Sequence, residues 1–181
     1  MAAGPGGDRR RRVRFWQAVN ESTINGRIHA MALWDQLKDR ITDFSSNTKT
    51  QIGKFKNKDF AKASMAMCAL IAAADGTISA DERRKTAGFI SSSDVLSVFE
   101  VSELQEHFNF YSSKLESDYE FGKVEAIATI GKMKSKPDAA RAVIQVGIII
   151  GGADGNFDDH ERAAVRDACF AVGIAPAEFD L

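Results

Sequence analysis

A ten-residue element occurs twice in this 181-residue chain, and it constrains the fold more than any other feature of the sequence. The copies read ADGTISADER at 74–83 and ADGNFDDHER at 153–162, an offset of 79 residues. In each, an apolar stretch runs into Asp-Gly, a hydrophobic residue follows, and Glu-Arg comes seven residues after the Asp. This self-similarity predicts two related helix–loop–helix hairpins packed about a pseudo-two-fold axis.

Apolar residues elsewhere recur at three- and four-residue steps, the spacing of one α-helix face. The stripes are Leu33, Trp34, Leu37 and Ile41; Phe60, Ser64, Met67, Cys68 and Ile71; Val101, Leu104, Phe108, Tyr111 and Leu115; Phe121, Val124, Ile127 and Ile130; and Val143, Val146, Gly147 and Ile150. No segment alternates with period two between hairpin turns, and only three prolines interrupt the chain. We therefore predict an all-α bundle of about seven helices that includes the two acidic hairpins.

The most apolar stretch, residues 142–153, is too short to span a membrane and contains Gln145, so it predicts a buried core helix. Gly147 and Gly151 lie on one face of it, where the missing side chains let another backbone approach closely. We expect this helix at the centre of the bundle.

The chain has two cysteines, Cys68 and Cys169, each inside an apolar helical stretch. Two thiols do not form a disulfide framework, which indicates a reducing cytoplasm. We predict that both are buried and inert, because free cysteine packs as a small hydrophobic residue. A redox-reactive thiol is the alternative, and no neighbouring residue favours it.

Charge divides the chain in two. Residues 1–30 carry six arginines against two acidic residues, a formal charge of +4, which leaves −5 for the remainder. We predict a disordered Arg/Gly-rich extension over 1–30 and a folded domain over 31–181. Met31 opens an amphipathic segment, so it is also a candidate native start. The arginines favour a solvated tail over a nucleic-acid or lipid site, and the acidic domain argues against nucleic-acid binding.

The simplest interpretation of the repeated element is a helix corner. Ser79 and Glu82 form a capping box, and Asp158 and Glu161 form its aspartate variant. On this interpretation each glutamate serves the N-terminus of its own helix, and no ligand is needed.

The same interpretation accounts for the glycines and hydrophobic residues of the element. Gly76 and Gly155 would end the preceding helices in the left-handed conformation. Ile78 and Phe157 would insert into the core and hold each loop down.

Two carboxylates remain unexplained, because Asp75 and Asp154 lie at helix C-termini, where the helix dipole disfavours negative charge. Asp154, Asn156 and Asp158 alternate as the oxygen donors of a calcium loop do. The first copy offers a weaker set at the same places: Asp75, Thr77 and Ser79. The glycine and glutamate positions exclude an EF-hand. Oxygen donors and only three histidines favour Ca²⁺, Mg²⁺ or Mn²⁺ over zinc.

A third acidic cluster lies between the repeats and surrounds Gly122 and Lys123. Its members are Glu116, Asp118, Glu120 and Glu125. They form either a solvated helix face or an additional part of an acidic surface shared with the repeats.

Taken together, these motifs resemble the TerB family of tellurite-resistance proteins. The segments that carry the resemblance are KNKDF at 56–60, AxxDG at 72–76, DYEFGKxE at 118–125, ADGNFDDHER at 153–162 and PAEFDL at 176–181. The resemblance covers residues 31–181 and not 1–30, which favours Met31 as the native start.

The resemblance implies a cytoplasmic helical bundle without enzymatic activity that binds a divalent cation through its acidic loops. It also implies other tellurite-resistance proteins as partners, among them a membrane-embedded protein and calcium-binding proteins. His160 stands where the family often has another acid. The acidic positions that match the family are Asp75, Glu82, Asp118, Glu120, Glu125, Asp154, Asp158, Asp159 and Glu161.

Together with the acidic loops, the resemblance therefore implies a metal-binding interaction protein in tellurite resistance and the oxidative stress response, cytoplasmic or held at the inner membrane face by a partner. The alternative is a metal-free scaffold whose acidic face docks a basic or membrane-embedded partner. An enzyme acting on tellurite is disfavoured, since the chain shows no phosphate loop and its cysteines lie in separate apolar stretches. We expect neither a small-molecule substrate nor nucleic-acid binding.

Overall fold

A computed structural model of the protein describes residues 57–93, 96–155 and 157–181, and for Asp154 the backbone alone. These residues form six α-helices and no strand, which confirms the predicted all-α class. The helices are α1 (Lys58–Ala72), α2 (Ala80–Ser92), α3 (Val101–Ser117), α4 (Tyr119–Gly131), α5 (Pro137–Gly151) and α6 (Asp159–Val172). The predicted helix at 33–41 and the extension 1–30 lie outside the described residues.

Helix α1 occupies the centre of the bundle and packs against α3, α4, α5 and α6. Asn57 begins it by accepting a hydrogen bond from the amide of Phe60 at 2.8 Å. Every residue from 63 to 72 is buried, and four alanines between 61 and 69 let neighbouring helices approach from several sides. The sequence predicts α5 at the centre, but α5 is one of the helices arranged around α1.

The contact between α5 and α1 explains Gly147. A Cβ atom there would lie 2.1 Å from Cε of Met67, so the glycine makes room for the methionine side chain. The predicted close approach is therefore real, but the group that approaches is a side chain and not a backbone.

Helix α4 faces the core differently from our prediction. Its buried face contains Gly122, Ala126 and Ile130, whereas Phe121 and Val124 are 79 % and 67 % exposed. The reason is the crossing with α3: a Cβ atom on Gly122 would lie 2.6 Å from the backbone nitrogen of Leu115. Because only glycine permits this approach, the glycine face turns inward and the two large side chains turn out.

The remaining predicted stripes are largely confirmed. In α3, Val101 is 44 % exposed, whereas the other members of its predicted stripe are buried: Leu104, Phe108, Tyr111 and Leu115. Cys68 in α1 and Cys169 in α6 are both buried and free, as predicted. Among the described residues, every helix is too short or too polar to cross a bilayer.

Candidate functional site: the cleft between the two repeated corners

The first corner, residues 74–83, is held by its own side chains. Ser79 Oγ accepts a hydrogen bond from the amide of Glu82 at 3.2 Å, and Glu82 Oε2 accepts one from the amide of Ser79 at 2.6 Å. Asp75 Oδ1 accepts from both the amide and the hydroxyl of Thr77, at 3.0 and 3.1 Å. The capping box is confirmed, and Asp75 holds the loop that follows it.

The second corner, residues 153–162, repeats this arrangement with a carboxylate as the cap. Asp158 Oδ1 accepts hydrogen bonds from the amides of His160 and Glu161 at 2.8 and 2.9 Å. Glu161 Oε2 accepts in return from the amide of Asp158 at 3.0 Å. The predicted aspartate variant of the box is therefore confirmed. A negative charge at this helix N-terminus is favourable because the amide dipoles point toward it.

Both glycines adopt the predicted left-handed conformation, with φ of +95° at Gly76 and +82° at Gly155. Their positions differ slightly from the prediction. Helix α1 ends at Ala72, and three residues separate it from Gly76. Gly155 caps a 3₁₀ turn, Gly152–Asp154, that follows α5. Each glycine therefore reverses the chain after a short extension of the helix and not at the α-helix end itself.

The hydrophobic residues of the two loops, Ile78 and Phe157, are half-buried, so they hold the loops down without entering the core fully. Phe157 rests on Gly151, where a Cβ atom would lie 2.7 Å from the ring. The guanidinium of Arg162 lies over the ring of Phe157, 5.1 Å from its centroid.

The two corners face each other across a cleft of about 100 Å³. Two pairs of lining residues occupy equivalent positions in the repeats, Ile71 with Ile150 and Glu82 with Glu161, as a pseudo-two-fold arrangement requires. The full lining consists of Ile71, Ala72, Glu82, Lys85, Thr86, Ile150, Asp158 and Glu161.

Comparison with known proteins decides the family. The profile described as tellurite resistance protein TerB matches residues 61–181. The chain belongs to the TerB family. A tellurium resistance protein TerB from Alcaligenes sp. is 36 % identical over 118 residues, which cover 65 % of this chain and 97 % of the relative. No solved structure matches. The resemblance seen in the sequence is thus confirmed over 61–181.

The structure brings together three of the nine acidic positions that the TerB resemblance singled out. Glu82, Asp158 and Glu161 line the cleft. Asp75 and Asp159 are exposed and are not among the residues that line it.

The middle cluster serves the corner between α3 and α4. Asp118 caps α4 by accepting a hydrogen bond from the amide of Phe121 at 3.2 Å. Glu125 pairs with Lys114 at 3.5 Å, and Glu120 is exposed on α4. Glu116, the fourth member, pairs with Arg83 of the first corner. The addition of the four carboxylates to an acidic surface shared with the repeats stays a prediction.

A divalent cation would need several converging oxygen donors. Within the described residues, no group of three or more His, Cys, Asp or Glu side chains is arranged to hold a metal ion. In the cleft, the caps use Oε2 of Glu82 and of Glu161, and Lys85 adds a positive charge. The described donors alone therefore do not fit such an ion, and any set that uses the side chain of Asp154 or Asn156 lies outside them.

Sequence reasoning missed two residues of the cleft, Lys85 and Thr86. Thr86 is buried on the inner face of α2 together with Ile90, four residues later. That spacing is the only signal the sequence gives, and a threonine in a polar helix does not stand out by it.

Proposed function

We propose that this TerB-family chain is a non-enzymatic interaction protein of tellurite resistance and the stress response, and that a divalent cation controls its acidic corners. The observation that carries the interaction role is the convergence of Glu82, Asp158 and Glu161, from both repeats, on one cleft, which leaves its lining with a formal excess of negative charge even with Lys85. Carboxylates brought close together repel one another, and a cation relieves that repulsion.

The cation in this proposal is Ca²⁺, Mg²⁺ or Mn²⁺, bound through the loop carboxylates, with Asp154 as the principal ligand and Asp75 in the weaker loop. Binding would change the charge next to the cleft and the distance between the corners. A partner from the same resistance system, membrane-embedded or calcium-binding, would bind the cation-loaded and cation-free forms with different affinity. The chain would act in the cytoplasm, at the inner membrane face when its partner holds it there.

The cysteines support a non-enzymatic role. Reduction of an oxyanion by the chain itself would need a reactive thiol or a redox cofactor. Burial raises the pKa of Cys169 to about 11, with a further contribution from the charge of Glu178, and burial raises the pKa of Cys68 as well. Both thiols are therefore protonated at neutral pH and shielded from solvent.

A second candidate, a metal-free acidic scaffold, is favoured by the hydrogen bonds of the caps. Asp75, Glu82 and Asp158 each accept a local N–H hydrogen bond, so the fold stabilises these charges without a cation. In this case the acidic corners would dock a basic partner directly.

Thermal melts in Ca²⁺, Mg²⁺ and Mn²⁺ separate the two candidates. Cation binding should raise the melting temperature of the wild type, since a ligand at one hundred times its Kd stabilises a protein by about 2.7 kcal/mol. Asp154→Asn should abolish most of this rise, and Asp75→Asn should reduce it less. Without metal, Asp154→Asn should be slightly more stable than the wild type, because carboxylate repulsion falls.

Glu106→Gln is the matched control, because Glu106 is an exposed carboxylate on α3, outside both corners. It should keep the full cation response. Equal responses in the wild type and all three variants would overturn the cation proposal and favour the metal-free scaffold.

A further inference from the structure

Thr86 differs from the other residues of the cleft in having a buried hydroxyl without a hydrogen-bond partner. The residue is only 1 % exposed and lines the cleft. A buried hydroxyl that makes no hydrogen bond costs stability, and native structures usually provide a partner. Ser64 and Ser112 also carry such hydroxyls, but neither lines the cleft. The position of Thr86 therefore indicates that something enters the cleft and bonds to it.

The rest of the lining defines the chemistry of that ligand. Ile71, Ala72 and Ile150 form an apolar part, and three carboxylates with one lysine form a polar part whose formal net charge is −2. The volume, about 100 Å³, approaches the roughly 150 Å³ of a cavity that binds benzene. The cleft thus suits a ligand with a slender apolar stem and a positively charged end.

We propose that the cleft binds the side chain of a lysine presented by a partner protein, with its ammonium group among the carboxylates and the Thr86 hydroxyl accepting one of its hydrogen bonds. The inference rests on the interaction role proposed above and names the chemistry of the partner. The methylene stem of lysine can lie along the isoleucines while its charged end meets the polar groups.

The caps favour an ammonium over a guanidinium. They already use Oε2 of Glu82, Oε2 of Glu161 and Oδ1 of Asp158, so each carboxylate offers a ligand at most one oxygen. The paired hydrogen bonds of an arginine need both oxygens of one carboxylate. An ammonium has three donors, and each of them needs only a single acceptor oxygen.

Lys85 belongs to the wall of the same cleft, so its charge opposes the arrival of a second cation. Removing this charge while keeping an unbranched side chain of similar length, as in Lys85→Met, should therefore strengthen binding of the partner lysine.

The test is an NMR titration of the ¹⁵N-labelled full chain in the presence of a chelator. The probe is Nα-acetyl-lysine methylamide, which keeps its side-chain ammonium. The probe should shift the amide signals around Thr86 and Ile150 saturably. The arginine analogue should bind more weakly, and the neutral norleucine analogue should give no saturable shift. Thr86→Val should weaken binding of the lysine probe about tenfold, because a hydrogen bond to a charged group is lost.

Ser112→Ala is the matched control, since it removes another buried hydroxyl without a partner, in α3. It should bind the lysine probe like the wild type. The melting temperature of Thr86→Val should equal or exceed that of the wild type, which shows that the weaker binding does not come from misfolding. Lys85→Met should bind more tightly than the wild type.

Absence of a saturable shift, equal binding by Thr86→Val and the wild type, or equal binding of the norleucine analogue would overturn the inference. The chelator separates it from the cation proposal. If the lysine probe binds and added cations have no effect, only the cation proposal is overturned. If cations stabilise the protein and the lysine probe does not bind, only the lysine site is overturned.

Discussion

The two repeated corners share one backbone design but are fastened in different ways. In the first, Arg83 reaches out to Glu116 on α3, 2.6 Å away. In the second, the equivalent Arg162 turns back, donating to the carbonyl of Phe157 at 3.3 Å and covering its ring. The comparison teaches that the local motif determines the turn and its cap, while the residues around each copy determine what the turn is attached to.

A second difference concerns volume. Counting the last residues of the preceding helices with the corners, the first has Ala72 and Ile78 where the second has Gly151 and Phe157. The larger ring of the second corner is accommodated because its neighbour has no side chain. The second repeat therefore has a larger side chain at one position and one methyl group fewer at the other, as expected when close packing limits the total volume.

The largest effect should come from the feature that the two corners share. Gly76→Val and Gly155→Val should each lower the free energy of unfolding by about 2 kcal/mol, because a β-branched residue strains the left-handed conformation. Urea unfolding measures the change. Gly88→Val in α2 is the control: Gly88 has open space and no positive φ, so its free energy should change by less than about 0.5 kcal/mol. A much smaller loss at one corner than at the other would break the equivalence of their turns.

An intermediate effect should come from the exchanged volumes. Gly151→Ala should destabilise the protein by about 1–2 kcal/mol, since the new methyl group meets the ring of Phe157. Combining it with Phe157→Ile recreates the pair found in the first corner and should restore much of the loss. A double-mutant cycle from urea unfolding measures the coupling. Strictly additive effects would show that the two positions do not compensate each other.

The smallest effect should come from the arginines. Arg83→Met removes an ion pair between half-exposed side chains, so it should cost less than about 0.5 kcal/mol, and the cost should shrink at high salt. Arg162→Met breaks a contact with an aromatic ring and a carbonyl, and its cost should depend less on salt. Urea unfolding at low and high NaCl makes the comparison. An equal salt dependence would show that the two arginines stabilise the protein through the same kind of interaction.

What could be predicted from the sequence was local. Capping boxes and left-handed glycines are determined by residues a few positions apart, so Ser79, Asp158 and the two glycines were all assigned correctly. The family was also recognisable, because its motifs are spread over the whole domain.

What could not be predicted depends on contacts between distant segments. Hydropathy alone places Phe121 in the core, but the crossing of α3 and α4 selects the face with Gly122. The same holds for the site: Glu82 and Glu161 meet because two hairpins pack together, and Thr86 joins them through a helix face that the polar sequence of α2 conceals. The spacing of residues along the chain does not predict such contacts between distant segments.

The two buried cysteines are chemical reporters on the two helices that carry them, α1 and α6. Cys68 lies in the helix that enters the first corner, and Cys169 lies in the helix that leaves the second. Because the thiolate is the reactive form and both side chains are inaccessible, an alkylating reagent can modify either one only after its helix has opened. A single common rate of alkylation would mean that α1 and α6 open as one cooperative unit. Two different rates would rank the two helices by their local stability, without any substitution in the chain.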